Sequence, residues 1–179
     1  MSFLRVLTFD LMDYGEALRL QEELHQKRVG VESENTLLLL EHPPVLTLGS
    51  SGKMENILLP MKQLEQAGIA VYKIGRGGDI TYHGPGQLVG YPIIDLKERG
   101  RDISRYIREL EEVIIQVLKE YGLIGERIDG LRGVWVNQEK ICAVGVQVRR
   151  WVTMHGFAFN VNTELSHFNY IIPCGIRDK

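Results

Sequence analysis

The densest concentration of reactive and donor groups is a twelve-residue stretch, Arg76-Gly77-Gly78-Asp79-Ile80-Thr81-Tyr82-His83-Gly84-Pro85-Gly86-Gln87. Glycine is the one compositional excess at 19 residues, and five of them fall between Gly75 and Gly86. Without a Cβ the backbone can approach a ligand closely, and Arg76, Thr81 and His83 add side-chain donors, so the stretch has the makings of a polar binding loop. Its plainer reading is a glycine-rich connection between strands. It is not a Walker A loop, which needs Gly-Lys-Ser/Thr, and Ile80 stands where G-x-G-x-x-G requires its third glycine. Cys174 lies between Pro173 and Gly175, where proline fixes the backbone before the thiol and glycine leaves space after it. The alternative for a lone cysteine is a small buried hydrophobe. A thiol of ordinary pKa, about 8.5, is only a few per cent thiolate at neutral pH. Lowering it by about 1.5 takes about 2 kcal/mol, which one nearby cation can supply. Lys140 and His83 are the candidates.

Lys140 opens the apolar segment Lys140-Ile141-Cys142-Ala143-Val144-Gly145. It is either a placed cation or an exposed hairpin lysine. Cys142 alternates with hydrophobic neighbours and reads as an inert core residue. His155, in His155-Gly156-Phe157-Ala158-Phe159-Asn160, fits a core or a surface position equally, whereas His25, His42 and His167 read as structural. The five histidines are scattered without H-x-x-x-H spacing, so no metal site is expected.

These residues need elements to hold them. Asp13 to Arg28 has the pattern of a helix, with Asp13 as cap, Glu16 three residues on and Gly30 after the basic end. Asn35 to Leu40 and Val45 to Leu48 are apolar runs split by a proline corner, and both predict buried strands. A short helix ends at Leu64 to Gly68; Ile69 to Ile74 and Gln87 to Asp95 predict strands on either side of the glycine cluster. The clearest helix is Ile103 to Tyr121, capped by Asp102 and stopped by Gly122, with a wide stripe from Ile103 through Ile107, Val113, Ile114, Val117 and Leu118 to Tyr121. Val134 to Val136, a turn at Asn137 to Glu139 and Ile141 to Val148 predict a hairpin, and His155 to Val161 a further strand. Helices and strands without strict βαβ alternation indicate an α/β or α+β domain with a mixed sheet.

Composition sets the boundaries. The 179 residues are 44% hydrophobic and 25% charged, enough for one domain with a sizeable core. With 21 basic and 23 acidic residues the net charge is -2, which argues against nucleic acid as a partner. Two cysteines are too few for a disulfide scaffold and suit a reducing, cytoplasmic setting. Arg5 and Asp10 interrupt the apolar N-terminus, so no signal peptide is expected. No apolar run approaches the roughly 20 residues that span a bilayer, so no membrane role is expected either.

Four segments together resemble the lipoyl(octanoyl) transferase family of the lipoate biosynthesis protein B type: Arg76 to Pro92, Lys140 to Gly145, His155 to Asn160 and Ile172 to Ile176. They occur in the family's order and at its spacing, and Glu41 to Leu48 looks like its early strand pair. The resemblance implies a mixed-sheet α/β fold similar to the catalytic domain of biotin and lipoate protein ligases, filling residues 1–179 as one domain. Family members continue for some tens of residues past the cysteine, so the resemblance also implies that a C-terminal extension is lacking here. The activity implied is transfer of an octanoyl group from octanoyl-acyl carrier protein to a lysine of lipoyl domains, in 2-oxoacid dehydrogenase complexes and the glycine cleavage H protein. Cys174 would form the acyl thioester, and Lys140 would lower its pKa and then deprotonate the incoming amine. Substrate contacts would come from Arg76, Gly77, Gly78, Asp79, Ile80, Thr81, Tyr82 and His83, from Ala143, Val144 and Gly145, and from Gly156, Phe157 and Ala158. No cofactor or metal is implied, because the thioester donor is already activated. A basic surface for acidic partners is expected at Arg149, Arg150 and Arg132. Two rival readings are a ligase that forms an acyl-adenylate with ATP, which has no need of a thiol at Cys174, and a noncatalytic module that holds an acyl chain or a lipoyl domain.

Overall fold

A computed structural model describes residues 3–172. The elements are β1 (Leu4–Leu11), α1 (Tyr14–Val29), β2 (Asn35–Glu41), β3 (Val45–Leu48), α2 (Met61–Gln66), β4 (Ala70–Lys73), β5 (Ile80–His83), β6 (Gln87–Ile93), α3 (Ile103–Glu120), β7 (Glu126–Ile128), β8 (Leu131–Val136), β9 (Glu139–Arg149) and β10 (Val152–Asn160). Seven strands form one sheet in the order β1-β2-β6-β10-β9-β8-β7, and three form a second in the order β4-β3-β5. β1 runs parallel to β2 and β4 parallel to β3; the other pairings are antiparallel. This is the mixed α/β architecture expected from the sequence.

Each face of the large sheet is covered by one long helix. α1 packs Ala17 against Leu38, Leu40, Val89 and Ala158, while α3 sets Ile107, Ile114 and Leu118 against Val134, Cys142 and Val144 on the opposite face. The small sheet has its own core of Leu46, Leu48, Ile80 and Tyr82, closed by Leu64 and Ile171. Leu38, Leu46 and Leu64 are wholly buried, each contributing about 1.5–3 kcal/mol over an exposed position.

Local signals set the helix ends, with two departures. Asp13 accepts the Gly15 and Glu16 N–H groups, and Asp102 accepts that of Arg105 at 2.9 Å. Gly122 leaves α3 in the left-handed region, φ +73. Gly30, however, stays helical at φ -74, and it is Val31 that turns, at φ +61. The expected stripe of α3 is also too wide: Val113, Val117 and Tyr121 face solvent, while Glu111 is buried among the apolar residues. Two-residue turns at Asn137–Gln138 and Arg150–Trp151, with positive φ at all four positions, join β8 to β9 and β9 to β10. β1 and β7, at the sheet's two edges, and β5, inside the glycine cluster, carry no sequence signal strong enough to predict.

Candidate active site

β5 and the loop before it meet β9 and β10 across a cavity of about 300 Å³, at the small end of the range for ligand pockets. The residues singled out by sequence converge there. Arg76 to Thr81 and His83 line one side, Ala143 to Gly145 and Gly156 to Ala158 the other, and Lys140 stands at its wall. The exception is Tyr82. Strand alternation turns it away from the cavity into the small sheet's core, where its hydroxyl meets His167 Nδ1 at 2.8 Å. Cys174 lies outside the described residues; the chain reaches Ile172 beside β3's sheet, where the Ile172 N–H donates to Asn56 O at 2.8 Å.

The loop's shape follows from where its backbone is tied. The N–H groups of Gly49, Ser50 and Ser51 donate to the carbonyls of Asp79, Arg76 and Gly78, and Gly77 N–H donates to Val146 O at 3.0 Å. An oxyanion formed here must therefore draw on donors other than the Gly77 amide. Gly145 permits this approach, since a Cβ there would stand 3.1 Å from both Arg76 Cδ and the Gly77 carbonyl oxygen. Arg76 is buried, with Nη2 donating to Thr47 O at 2.7 Å and to Thr47 Oγ1 at 2.9 Å. Asp79 tethers the neighbouring 53–56 turn, accepting from Asn56 Nδ2 at 2.6 Å and from Lys53 N at 3.3 Å.

Beneath the loop lies a buried group of aromatic and imidazole rings. His83 Nδ1 donates to Gln87 Oε1 at 2.7 Å, because the Gln87 amide nitrogen is committed to Asn160 Oδ1 and the Tyr82 carbonyl. Its Nε2 then faces the Thr47 hydroxyl at 3.4 Å as an acceptor. Burial, reinforced by His42 and Arg76, pushes the His83 pKa down to about 3. Burial thus disfavours the cationic form of His83, one of the two groups considered as a cation for a thiol. His42 donates from Nδ1 to Met12 O at 2.7 Å and accepts at Nε2 from Tyr91 Oη at 2.7 Å, its own pKa lowered by burial. Tyr14 stacks on His83, with ring centroids 6.1 Å apart and 13° between planes.

His155 resolves into a buried cavity residue. Its backbone N–H donates to Gln21 Oε1 at 2.8 Å, its φ of +57 is strained for a non-glycine residue, and its Nδ1 is buried with no hydrogen-bond partner among the described residues. Burial first, and then Arg76, lower its pKa to about 4. Lys140 sets its ammonium 4.6 Å from the centroid of the Trp135 ring. Cys142 faces α3, with its thiol pKa driven far above the ordinary range by burial, as expected of a core thiol. Arg149 and Arg150 stand at the β9–β10 turn, whereas Arg132 lines the cavity from β8. Since Val134 pairs with Cys142, five or more residues of extended strand, roughly 17 Å, separate Arg132 from that turn. The three arginines do not form one patch. Tyr14, Tyr91 and the Gly130 to Arg132 segment also line the cavity; Tyr91 falls within the Arg76 to Pro92 segment without having been named as a contact, and Tyr14, Gly130 and Leu131 carry no motif, reaching the site only through the packing of α1 and the order of the strands. Among the described residues, no three His, Cys, Asp or Glu side chains gather as a metal site would require, and no helix is long and apolar enough to cross a membrane.

Residues 13–179 match the family described as the lipoyl protein ligase A/B catalytic domain. The chain is 56% identical over 178 residues to an octanoyltransferase of Caldicellulosiruptor saccharolyticus, covering 98% of this chain and 76% of that protein. It is 54% identical over 183 residues to an octanoyltransferase of Flavobacterium johnsoniae, covering 93% and 79%. Among solved structures, LipL1 of P. falciparum in complex with lipoate superposes with a TM-score of 0.77 at 16% identity, covering 94% of this chain and 51% of that one. A bipartite lipoate protein ligase of Thermoplasma acidophilum gives 0.75 at 20% identity, covering 96% and 66%. At such identities these two likenesses concern the fold. The sequence relatives concern more, and by them this chain belongs to the lipoyl protein ligase A/B catalytic family, on its octanoyltransferase side, and is an acyltransferase.

Proposed function

We propose that the chain moves an octanoyl group from octanoyl-acyl carrier protein, through a thioester on Cys174, to the lysine amine of lipoyl domains. These acceptors include 2-oxoacid dehydrogenase subunits and the glycine cleavage H protein. The observation that carries this reading is Lys140: an ammonium brought by β9 to the wall of a small, largely apolar cavity whose other buried bases, His83 and His155, are neutral.

In the first half-reaction Cys174 reacts as a thiolate paired with the Lys140 ammonium, and the thiolate attacks the acyl carbonyl carbon. The tetrahedral intermediate collapses as the C–S bond to the carrier breaks, and the departing carrier thiolate takes a proton from Lys140, leaving it as the neutral amine. In the second, the lipoyl-domain amine attacks the Cys174 thioester and gives a proton to Lys140. The new C–N bond forms, the C–S bond to Cys174 breaks, and the thiolate is restored beside a Lys140 ammonium. Bonds and protons balance with no other reactant.

The test is intact-mass spectrometry after mixing the chain with octanoyl-acyl carrier protein, for wild type and Cys174→Ser, with a hydroxylamine wash. A hydroxylamine-labile octanoyl adduct on wild type alone is the expected result. Absence of any adduct on folded wild-type protein would favour a module that binds without transferring. An adduct that requires ATP would favour ligase chemistry.

A further inference from the structure

The β8–β9 ladder changes register once. Val134 pairs with Cys142, but the next pair is Trp135 with Lys140, so Ile141 is an extra residue on β9 and the strand bulges there. Ile141 packs against the cluster under α3 to which Cys142 belongs, although successive residues of a regular strand face opposite ways. The cavity-side position that alternation would give Ile141 passes to Lys140. Opposite the bulge, β8 is bent as well. Gly133 has φ +117; a Cβ there would overlap the Cys142 carbonyl oxygen and stand 3.6 Å from Lys140 Cδ. The Lys140 side chain thus runs over Gly133 to reach the Trp135 ring.

The Gly133 N–H donates to Glu111 Oε1 at 2.9 Å. Glu111 sits in the apolar face of α3 with its side chain 7% exposed, and its second oxygen accepts from Arg127 Nε at 3.1 Å. A carboxylate buried there is costly unless its bonds are needed, and one of them goes to the backbone at the bend. We infer that Glu111 is a positioning residue for Lys140: by holding the Gly133 N–H from behind the sheet, it fixes the bend in β8 over which the lysine reaches the cavity. The inference rests on Lys140 carrying the proton in the reaction proposed above.

The test compares Glu111→Leu, Glu111→Asp and Glu111→Gln, each alone and combined with Lys140→Ala. Aspartate keeps the charge and the Arg127 partner but is one methylene short of Gly133, while glutamine keeps an acceptor oxygen at full reach. Two readouts are taken: the single-turnover rate of octanoyl transfer per folded molecule, and the upfield ring-current shift that Trp135 imposes on the Lys140 side-chain methylene resonances. Leu and Asp are expected to slow transfer about tenfold with Lys140 present and less than about twofold without it, and to abolish the upfield shift, with Gln within about threefold of wild type. Equal losses in both backgrounds with the upfield shift intact would assign Glu111 to the fold alone and overturn the inference. Wild-type rates for Lys140→Ala would overturn the proton-carrier reading itself, a separate result under which the inference falls too. If Glu111→Leu does not fold, the Asp and Gln pair carries the same comparison.

Discussion

The Tyr91 hydroxyl donates to His42 Nε2 at 2.7 Å, and because His42 Nδ1 must donate to the Met12 carbonyl, the tautomer and the direction of the bond are both fixed. Tyr91→Phe removes the donor and leaves a buried imidazole nitrogen without a partner. The expected cost is about 1–3 kcal/mol in urea unfolding. An unchanged midpoint would mean that water replaces the hydroxyl.

Acid should destabilise the chain earlier than its carboxylates alone require. His42, His83 and His155 all have pKa values depressed by burial, the last two to about 3 and about 4. A base whose folded pKa lies below its unfolded value binds more protons when unfolded, so its contribution is full above the unfolded pKa of about 6.5 and is lost as pH falls toward the folded value. Each histidine then removes up to about 1.4 kcal/mol per pH unit across that window. Urea midpoints at pH 7, 6 and 5 should fall steadily; a flat profile would show that these rings are protonated in the folded state.

Gly145→Ala places a methyl group 3.1 Å from the Gly77 carbonyl oxygen and Arg76 Cδ. The carbonyl belongs to a tied loop and cannot swing away as a side-chain end would. We expect about 1–3 kcal/mol of destabilisation and a raised KM for the acyl donor, measured by steady-state kinetics beside thermal melts. Wild-type kinetics would show that the loop yields.

Lys140→Arg keeps the positive charge, and a guanidinium also stacks on Trp135, but it does not give up its proton near neutral pH. Acyl transfer should fall by about 10²–10⁴ with the melting temperature little changed. Activity near wild type would mean that Lys140 supplies only charge.

Much of this was legible in the sequence where the cause is local. Asp13 and Asp102 cap their helices with side chains two or three residues from the amides they bind, and the glycine and small-residue segments converge on one cavity. Glu111 was not legible, because the group that justifies its burial, the Gly133 amide, lies 22 residues away on another element. The exposure of Val113 and Val117 has the same origin: period shows that α3 has an apolar face, but only the sheet it meets sets how wide that face is. β1 was missed because an edge strand is exposed along nearly its whole length and shows no clean alternation of burial.

The bulge at Ile141 also makes β9 a matter of parity. Two steps separate Cys142 from Lys140, an even count that on a regular strand would put both on the α3 face; the bulge removes one step and sends them to opposite faces. Deleting Ile141 would keep that odd count, with Lys140 still opposite Trp135, at the cost of one core side chain. A residue added beside Ile141 would restore the even count and aim the lysine under α3. At this point in the chain, the side of the sheet on which the lysine emerges depends on whether the spacing is odd or even before it depends on which side chain fills it.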